Sequence, residues 1–173
     1  MEKYIPDIYV KSIYYVDYDK LKERGIKCIL FDLDNTIAPL SIIKPNKKIK
    51  DLFAKLKSMG FKIIIFSNSR KNRIKPFKEE LEVDCAFKCK KPSTKKYKII
   101  LKEYKFQISE IVIIGDNIIT DILGGNKIGI TTILVNPISN KERITTKISR
   151  IIERKIINKL SKRELFFRGK YYE

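Results

Sequence analysis

The chain of 173 residues contains no histidine. This absence excludes catalytic triads and acid–base reactions that depend on an imidazole ring. Any proton transfer in a reaction catalysed by this chain must come from carboxylates, lysine, tyrosine, cysteine or water.

Cysteine is scarce as well, because Cys28, Cys85 and Cys89 are the only three. An odd number with no second pair nearby predicts neither a disulfide framework nor a zinc site, and favours a reducing compartment. No apolar run approaches the roughly 20 residues of a membrane-spanning helix, and the first ten residues do not have the pattern of a signal peptide. We therefore expect a cytoplasmic protein that is soluble or lies on a membrane surface.

Acidic residues are few relative to basic ones: 20 Asp and Glu against 38 Lys and Arg, a net charge of +18. Such an excess favours polyanionic partners or an anionic membrane surface through long-range attraction. A general bias of the sequence toward Ile, Lys and Asn would also raise the charge, and composition alone leaves both explanations open.

Hydrophobic residues make up 43% of the chain, enough for a folded core. Between Cys28 and Val135, short Ile-rich runs alternate with longer stretches of helical periodicity. The apolar runs are typical of strands buried on both faces, so the alternation predicts an α/β fold with a central, mostly parallel sheet of about five strands. The predicted strands are CILFDLD, KIIIFSNS, IVIIGDN, TTILVN and a weaker one at residues 85–87. The predicted helices cover residues 46–59, 72–81, 93–104 and 119–127.

Polar side chains follow these predicted strands where each one ends. Asp32 and Asp34 close the first run, Ser67 closes the second, and Asp116 follows the IVII run. Ligands of such sheets bind at the carboxyl ends of the strands, so we expect these residues to meet at one rim. Several carboxylates gathered there require a cation, and hard oxygen ligands favour Mg²⁺.

Four short motifs then resemble those of the haloacid dehalogenase (HAD) superfamily, in the same order. DLDNT at residues 32–36 is similar to its first motif, and Ser67 of FSNS to its second. Lys91, directly before Pro92, resembles the third, and GDNIITD at residues 115–121 the fourth. The resemblance implies a Rossmann-like, three-layer core.

The resemblance also implies the roles of the site residues. Asp32 would attack phosphorus and form an aspartyl-phosphate, and Asp34 would act as the general acid and base. Ser67, with Asn68 beside it, would bind the phosphoryl group, and Lys91 would offset the negative charge. The implied ligands of Mg²⁺ are Asp32, Asp34, Asp116 and Asp121.

Simpler explanations exist for several of these residues taken singly. Residues 34–36 suit an ordinary turn, and Asp121 suits a helix cap. Lys91 belongs to a lysine-rich run that would be solvated on any surface, and its choice over Lys90 depends only on the adjacent proline.

The spacing of the motifs leaves no room for a cap domain, either between Asp34 and Ser67 or between Ser69 and Lys91. We therefore expect a core at residues 27–137 whose site is open to a substrate presented by something large. Residues 1–26 are predicted to pack on this core as an extension. Residues 138–173 are predicted to form a basic, amphipathic helical extension.

The C-terminal extension has basic residues at helical spacing, Arg143, Lys147, Arg150 and Arg154, with isoleucines roughly opposite. This pattern fits a helix lying on an anionic membrane and equally a helix packed on the core with a charged outer face. The isoleucines are Ile144, Ile148, Ile151, Ile152 and Ile156.

The N-terminal stretch IPDIYVKSIYYVDYDKLKERGIK, with KPF at residues 75–77 and GGNKIGITTILVNP at residues 124–137, resembles the small YqeG-type HAD proteins, so that the likeness covers nearly the whole chain. This resemblance implies phosphatidylglycerophosphate as the substrate and the head group of a phospholipid at an anionic membrane surface as the partner. The protein would then be peripheral on the inner face of the membrane. The basic charge also permits a phosphatase of nucleic acid ends. A non-catalytic adaptor with the same fold is a further alternative, against which the intact pair of Asp32 and Asp34 argues.

Overall fold

The computed structural model describes residues 1–141 and 144–173, with the backbone alone given for residues 144–147. The predictions for Arg143 and for the side chains of Ile144 and Lys147 thus lie outside the part of the chain that the structure describes. The strands are β1 (Ile8–Tyr9), β2 (Cys28–Phe31), β3 (Lys62–Phe66), β4 (Asp84–Ala86), β5 (Ile111–Gly115) and β6 (Thr131–Leu134). The α-helices are α1 (Tyr18–Glu23), α2 (Lys47–Ser58), α3 (Lys71–Leu81), α4 (Lys95–Tyr104), α5 (Leu123–Ile128) and α6 (Ile144–Ser161).

All six strands form one parallel sheet in the order β1-β6-β5-β2-β3-β4. The α/β fold expected from the alternating pattern is confirmed, with six strands in place of about five. The additional strand is β1, whose Ile8 pairs with Ile133 of β6. Chain order reverses between β2 and β5, the point at which ligands bind in open parallel sheets.

The central strands β2, β3 and β5 are buried on both faces, as their isoleucine content predicts. Alternate residues of β2 point into two different cores, with Phe31 in one and Leu30 in the other. The first core lies under α2 and α3, and the second lies under α4. A third cluster around Tyr9, Leu160 and Phe166 joins the C-terminal segment to β1 and β6.

Local signals in the sequence fix the helix ends. The Asn46 side chain caps α2 by accepting a hydrogen bond from the backbone N–H of Ile49 at 3.0 Å. Gly60 follows α2 with φ +90°, a conformation that glycine adopts without steric cost. The predicted helix at 119–127 begins differently, because residues Ile118–Ile122 form a π-helical turn before α5.

No separate domain is inserted between the site motifs. Only a loop, α2 and β3 lie between Asp34 and Ser67, and only α3 and β4 lie between Ser69 and Lys91. Among the described residues, none of the helices combines the length and apolar character needed to span a bilayer.

Candidate active site

The carboxyl ends of the three central strands open into one cleft. Because β2 lies between β3 and β5, the residues that follow them, Asp32, Ser67 and Asp116, become neighbours. The cleft has a volume of about 360 Å³, within the usual range for small ligands. Ten of its lining residues come from these strand ends and from the Lys91 loop: Asp32, Asp34, Asn35, Ser67, Asn68, Ser69, Lys91, Pro92, Asp116 and Asn117.

The loop after β2 turns back sharply at Asn35, which has φ +65°. Asparagine tolerates this left-handed conformation better than most residues. The turn brings the Thr36 hydroxyl within 3.0 Å of Asp116 Oδ1 and 3.4 Å of Asp32 Oδ2. Thr36 therefore links the carboxylates that follow β2 and β5.

Lys91 is the central cation of the cleft. Its Nζ lies 2.7 Å from Asp32 Oδ1, 2.6 Å from Asp121 Oδ1 and 2.9 Å from the Phe66 carbonyl oxygen. Burial acts to lower the pKa of Lys91, but the Asp121 and Asp32 carboxylates hold it well above its ordinary value. The adjacent Lys90 is exposed, so the structure distinguishes the two lysines that the sequence could not.

Asn68 positions the backbone of Lys91. Its side-chain oxygen accepts a hydrogen bond from Lys91 N–H at 2.7 Å, and its amide nitrogen donates to the Lys91 carbonyl oxygen at 3.2 Å. Ser67 is buried at the cleft, and its Oγ accepts a hydrogen bond from Ser69 N–H at 3.1 Å. Both residues thus line the cleft beside Lys91, and their role in phosphate binding stays a prediction.

Three carboxylates form a compact acidic group. Each of Asp32, Asp116 and Asp121 offers one oxygen, and these oxygens lie within 4.8 Å of one another. Burial raises the pKa of Asp32, although Lys91 opposes that shift, and burial likewise raises the pKa of Asp116 against the effect of Arg150. A buried set of carboxylate oxygens without thiolate or imidazole suits Mg²⁺, which would neutralise their mutual repulsion.

Gly115 makes room for the third carboxylate of this group. Asp121 lies in the π-helical turn and packs directly against Gly115, where any Cβ would overlap its carboxyl group. Asp121 Oδ2 also accepts a hydrogen bond from the Asn117 N–H at 3.2 Å.

Asp34 lies in the same cleft, but its carboxylate is outside the acidic group. Arg73 Nε contacts Asp34 Oδ1 at 2.9 Å, and the Ser69 hydroxyl donates to Asp34 Oδ2 at 2.5 Å. The structure therefore places the Asp34 side chain beside Ser69 and Arg73 rather than among the three clustered carboxylates.

A second cation reaches the cleft from the C-terminal helix. The Arg150 guanidinium of α6 forms an ion pair with the Asp116 carboxylate and donates to the Asp116 carbonyl oxygen at 2.9 Å. Glu153, one turn further along, accepts from Arg150 Nη1 at 2.7 Å and from the Ile118 N–H at 2.8 Å. These contacts attach the first half of α6 to the acidic side of the cleft.

All seven site residues predicted from the sequence lie at this one place. Sequence reasoning did not identify Arg73 as a partner of Asp34, or Arg150 as a partner of Asp116. Arg150 was noted only as part of a basic stripe, and its i, i+3 spacing from Glu153 was the available signal of a charged pair.

Comparisons with known proteins identify the family of the chain. A family model described as mitochondrial PGP phosphatase matches residues 1–139. The chain is 34% identical over 160 residues to the probable phosphatase YqeG of Bacillus subtilis (strain 168), covering 92% of this chain and 93% of that protein. It is 30% identical over 154 residues to phosphatidylglycerophosphate phosphatase 1, chloroplastic/mitochondrial, of Arabidopsis thaliana, covering 80% of this chain and 42% of that protein.

A solved structure supports the fold assignment. A Legionella pneumophila protein assigned to the HAD superfamily (subfamily III A) hydrolases superposes with a TM-score of 0.50 at 16% identity, covering 70% of this chain and 72% of that one. At this identity the likeness concerns the fold alone.

Proposed function

We propose a reaction and a substrate for this chain, which belongs to the PGP phosphatase family and is a phosphatase with the HAD fold. The reaction is Mg²⁺-dependent hydrolysis of a phosphomonoester through an aspartyl-phosphate. The substrate is phosphatidylglycerophosphate, which the reaction converts to phosphatidylglycerol at a membrane surface. The observation that carries the proposal is the contact of Lys91 Nζ with both Asp32 and Asp121 inside the acidic group at one cleft.

Asp32 is placed to act as the nucleophile. Its Oδ1 is held by Lys91 and its Oδ2 lies near the Thr36 hydroxyl, so the carboxylate has a fixed orientation at the cleft. In the first step a carboxylate oxygen of Asp32 bonds to phosphorus while the bond from phosphorus to the ester oxygen breaks. Water then attacks phosphorus, the aspartyl-phosphate bond breaks, and inorganic phosphate leaves.

Asp34 serves as the general acid and base in this scheme. It donates a proton to the departing ester oxygen in the first step and takes a proton from the attacking water in the second. Arg73 and Ser69 hold its carboxyl group, which limits the rotamers that it can adopt. These two residues are positioning residues for Asp34.

Asp32, Asp116 and Asp121 would hold Mg²⁺, with the Asp34 segment beside them. When bound, the ion supplies electrostatic stabilisation of the phosphoryl oxygens. Ser67 and Lys91 also contribute to binding the phosphoryl group, since both line the cleft with Asp32. Phosphoryl transfer depends mostly on such positioning and charge compensation, so few residues are needed.

The lipid substrate is supported by three features. The name of the Arabidopsis relative specifies phosphatidylglycerophosphate, the chain has a net charge of +18, and no domain is inserted between the site motifs. A phosphomonoester on a lipid head group is anionic and is presented by a large surface, which suits an uncapped cleft.

The test measures phosphate release from phosphatidylglycerophosphate dispersed in detergent micelles and from an aryl phosphate, each with Mg²⁺ and with a chelator. We expect Mg²⁺-dependent release from both, and release from neither by the Asp32→Asn variant. Hydrolysis of the aryl phosphate with none of the lipid would refute the lipid assignment. Equal activity in the Asp32→Asn variant would refute the assigned nucleophile.

A further inference from the structure

The first half of α6 turns its charged side chains inward and its isoleucines outward. The side chains of Arg150 and Glu153 are only 13% and 2% exposed. By contrast, Ile148, Ile151 and Ile152 are 60%, 50% and 47% exposed. A surface helix ordinarily shows the opposite arrangement, and grouped exposed apolar residues mark an interaction site. Of the two alternatives that the sequence left open, the one in which these three isoleucines pack on the core under a charged outer face is therefore wrong.

A second group of exposed isoleucines follows the first motif. Ile42 and Ile43 are 41% and 70% exposed, in the loop that continues from Leu40. Arg73 holds this loop against the site, because it donates to the Ile42 carbonyl oxygen while its Nε contacts Asp34. The position of the loop is thus coupled to a residue of the catalytic cleft.

Both groups border the same opening. Leu40 from the loop and Ile148 and Ile152 from α6 line the cleft that contains Asp32 and Lys91. Ile148 and Ile152 therefore lie at the cleft mouth, and three further exposed isoleucines lie on the two segments that carry these lining residues. We call them the isoleucine rim, defined as Ile42, Ile43, Ile148, Ile151 and Ile152.

The charge around the rim selects among possible partners. Lys44, Lys141, Arg154 and Lys155 are exposed on the segments that carry or adjoin the rim. A second copy of a chain with a net charge of +18 would be repelled, whereas an anionic bilayer would be attracted. Apolar side chains flanked by basic ones are also what an interfacial membrane-binding surface requires.

We infer that the isoleucine rim docks on an anionic lipid bilayer and seats the cleft mouth on the head-group layer. This inference deepens the proposed function and rests on it, because it specifies how the phosphomonoester of a lipid meets the site. Docking orients Asp32 and Lys91 toward the membrane, so that the head group enters the cleft without leaving the bilayer.

The test uses vesicles that contain no substrate, so that binding is separated from catalysis. Co-sedimentation with vesicles of phosphatidylcholine and phosphatidylglycerol is measured for the wild type and for the double variant Ile43→Ser/Ile151→Ser. The matched control is Ile99→Ser/Ile108→Ser, two isoleucines of 51% and 45% exposure, neither of which lines the cleft.

We expect the affinity of the rim variant for anionic vesicles to fall at least about tenfold, and that of the control variant to stay within about twofold of wild type. Neither Ile43 nor Ile151 lines the catalytic cleft, so thermal midpoint and aryl phosphate hydrolysis should be unchanged in both variants. Those two measurements exclude misfolding as the cause of a binding loss.

Equal vesicle binding by the rim and control variants would overturn the inference. A wild-type dimer that the rim substitutions dissociate, with vesicle binding unchanged, would also overturn it and assign the rim to a contact between copies. A failure of the proposed function would give a different result from a failure of this inference. The wild type would then not hydrolyse micellar phosphatidylglycerophosphate but would still bind vesicles through the isoleucine rim.

Discussion

Replacement of Lys91 by methionine tests the electrostatic core of the site. Methionine fills a similar volume, so the Lys91→Met variant removes the charge with little change in packing. The ammonium group contacts Asp32 at 2.7 Å and Asp121 at 2.6 Å, and the side chains of Lys91 and Asp121 are each 1% exposed. Removing one partner of a buried ion pair costs about 3–5 kcal/mol, because it leaves an uncompensated charge.

For a chain of this size that loss corresponds to a fall of about 6–20 °C in the thermal midpoint. The assay is thermal unfolding followed by circular dichroism in a chelator, with Lys90→Met as the matched control. Lys90 is exposed, so its replacement should change stability by no more than about 0.5 kcal/mol. Mg²⁺ should stabilise Lys91→Met more than wild type, because the ion and Lys91 compensate the same carboxylates.

The pH dependence of the stability loss in Lys91→Met provides the result that would refute this reasoning. Burial raises the pKa of Asp32 above its unfolded value, and Lys91 opposes this shift, so the variant should raise it further. When folding raises the pKa of a carboxyl group, the free energy of unfolding is highest below the pKa of the unfolded state. This stability is lost as pH rises from the unfolded pKa to the folded pKa. The pKa of wild-type Asp32 is raised to about 8, so below that pH Asp32 is protonated in the folded state of both proteins. The deficit of Lys91→Met should therefore change little below about pH 8 and grow as pH rises above it. A deficit that is constant with pH would show that the cost does not arise from uncompensated carboxylates.

Two further predictions concern the acidic group. Arg150→Ala should raise the affinity for Mg²⁺ several-fold, measured by isothermal titration calorimetry, because the guanidinium pairs with the Asp116 carboxylate. The control variant Arg154→Ala, on the exposed side of α6, should leave this affinity unchanged. Equal affinities in the two variants would contradict competition between Arg150 and the ion. Gly115→Ala should abolish most phosphatase activity and lower the free energy of unfolding by about 1–3 kcal/mol, because the new Cβ would displace the Asp121 carboxyl group. Full activity with wild-type stability would contradict this prediction and show that Asp121 has room to move.

The fold was largely predictable because its strongest signals are local. Short apolar runs that contain isoleucine define β2, β3, β5 and β6, since strands buried on both faces need no alternation of apolar and polar residues. The strand Ile8–Tyr9 was missed because two residues carry no periodicity. Its place is fixed by distant partners, including the hydrogen bond of 2.8 Å from Tyr9 N–H to the Tyr172 carbonyl oxygen and the pairing of Ile8 with Ile133.

The candidate site also contains features that were predictable from the sequence and features that were not. Asp32, Ser67 and Asp116 were predictable as neighbours, because parallel strands bring their carboxyl ends to one edge. The partners of the carboxylates were not predictable, since they depend on how helices are rotated about their axes. Arg73 reaches Asp34 across 39 positions of sequence, and Arg150 reaches Asp116 across 34.

The orientation of α6 about its own axis links the charged residues at the catalytic cleft to the exposed apolar residues of the same helix. Successive helical residues turn by about 100°, so Ile148 and Ile152 each lie about 160° from Arg150 around the helix axis. When Arg150 turns toward Asp116, these isoleucines are therefore turned away from the acidic group, and they line the edge of the cleft at its mouth. Buried charges need compensation, and Arg150 obtains it from Asp116 and Glu153. Asp116 and Glu153 thus help to hold α6 in the orientation that exposes these isoleucines, so the proposed lipid-binding surface depends on the electrostatics of the catalytic cleft.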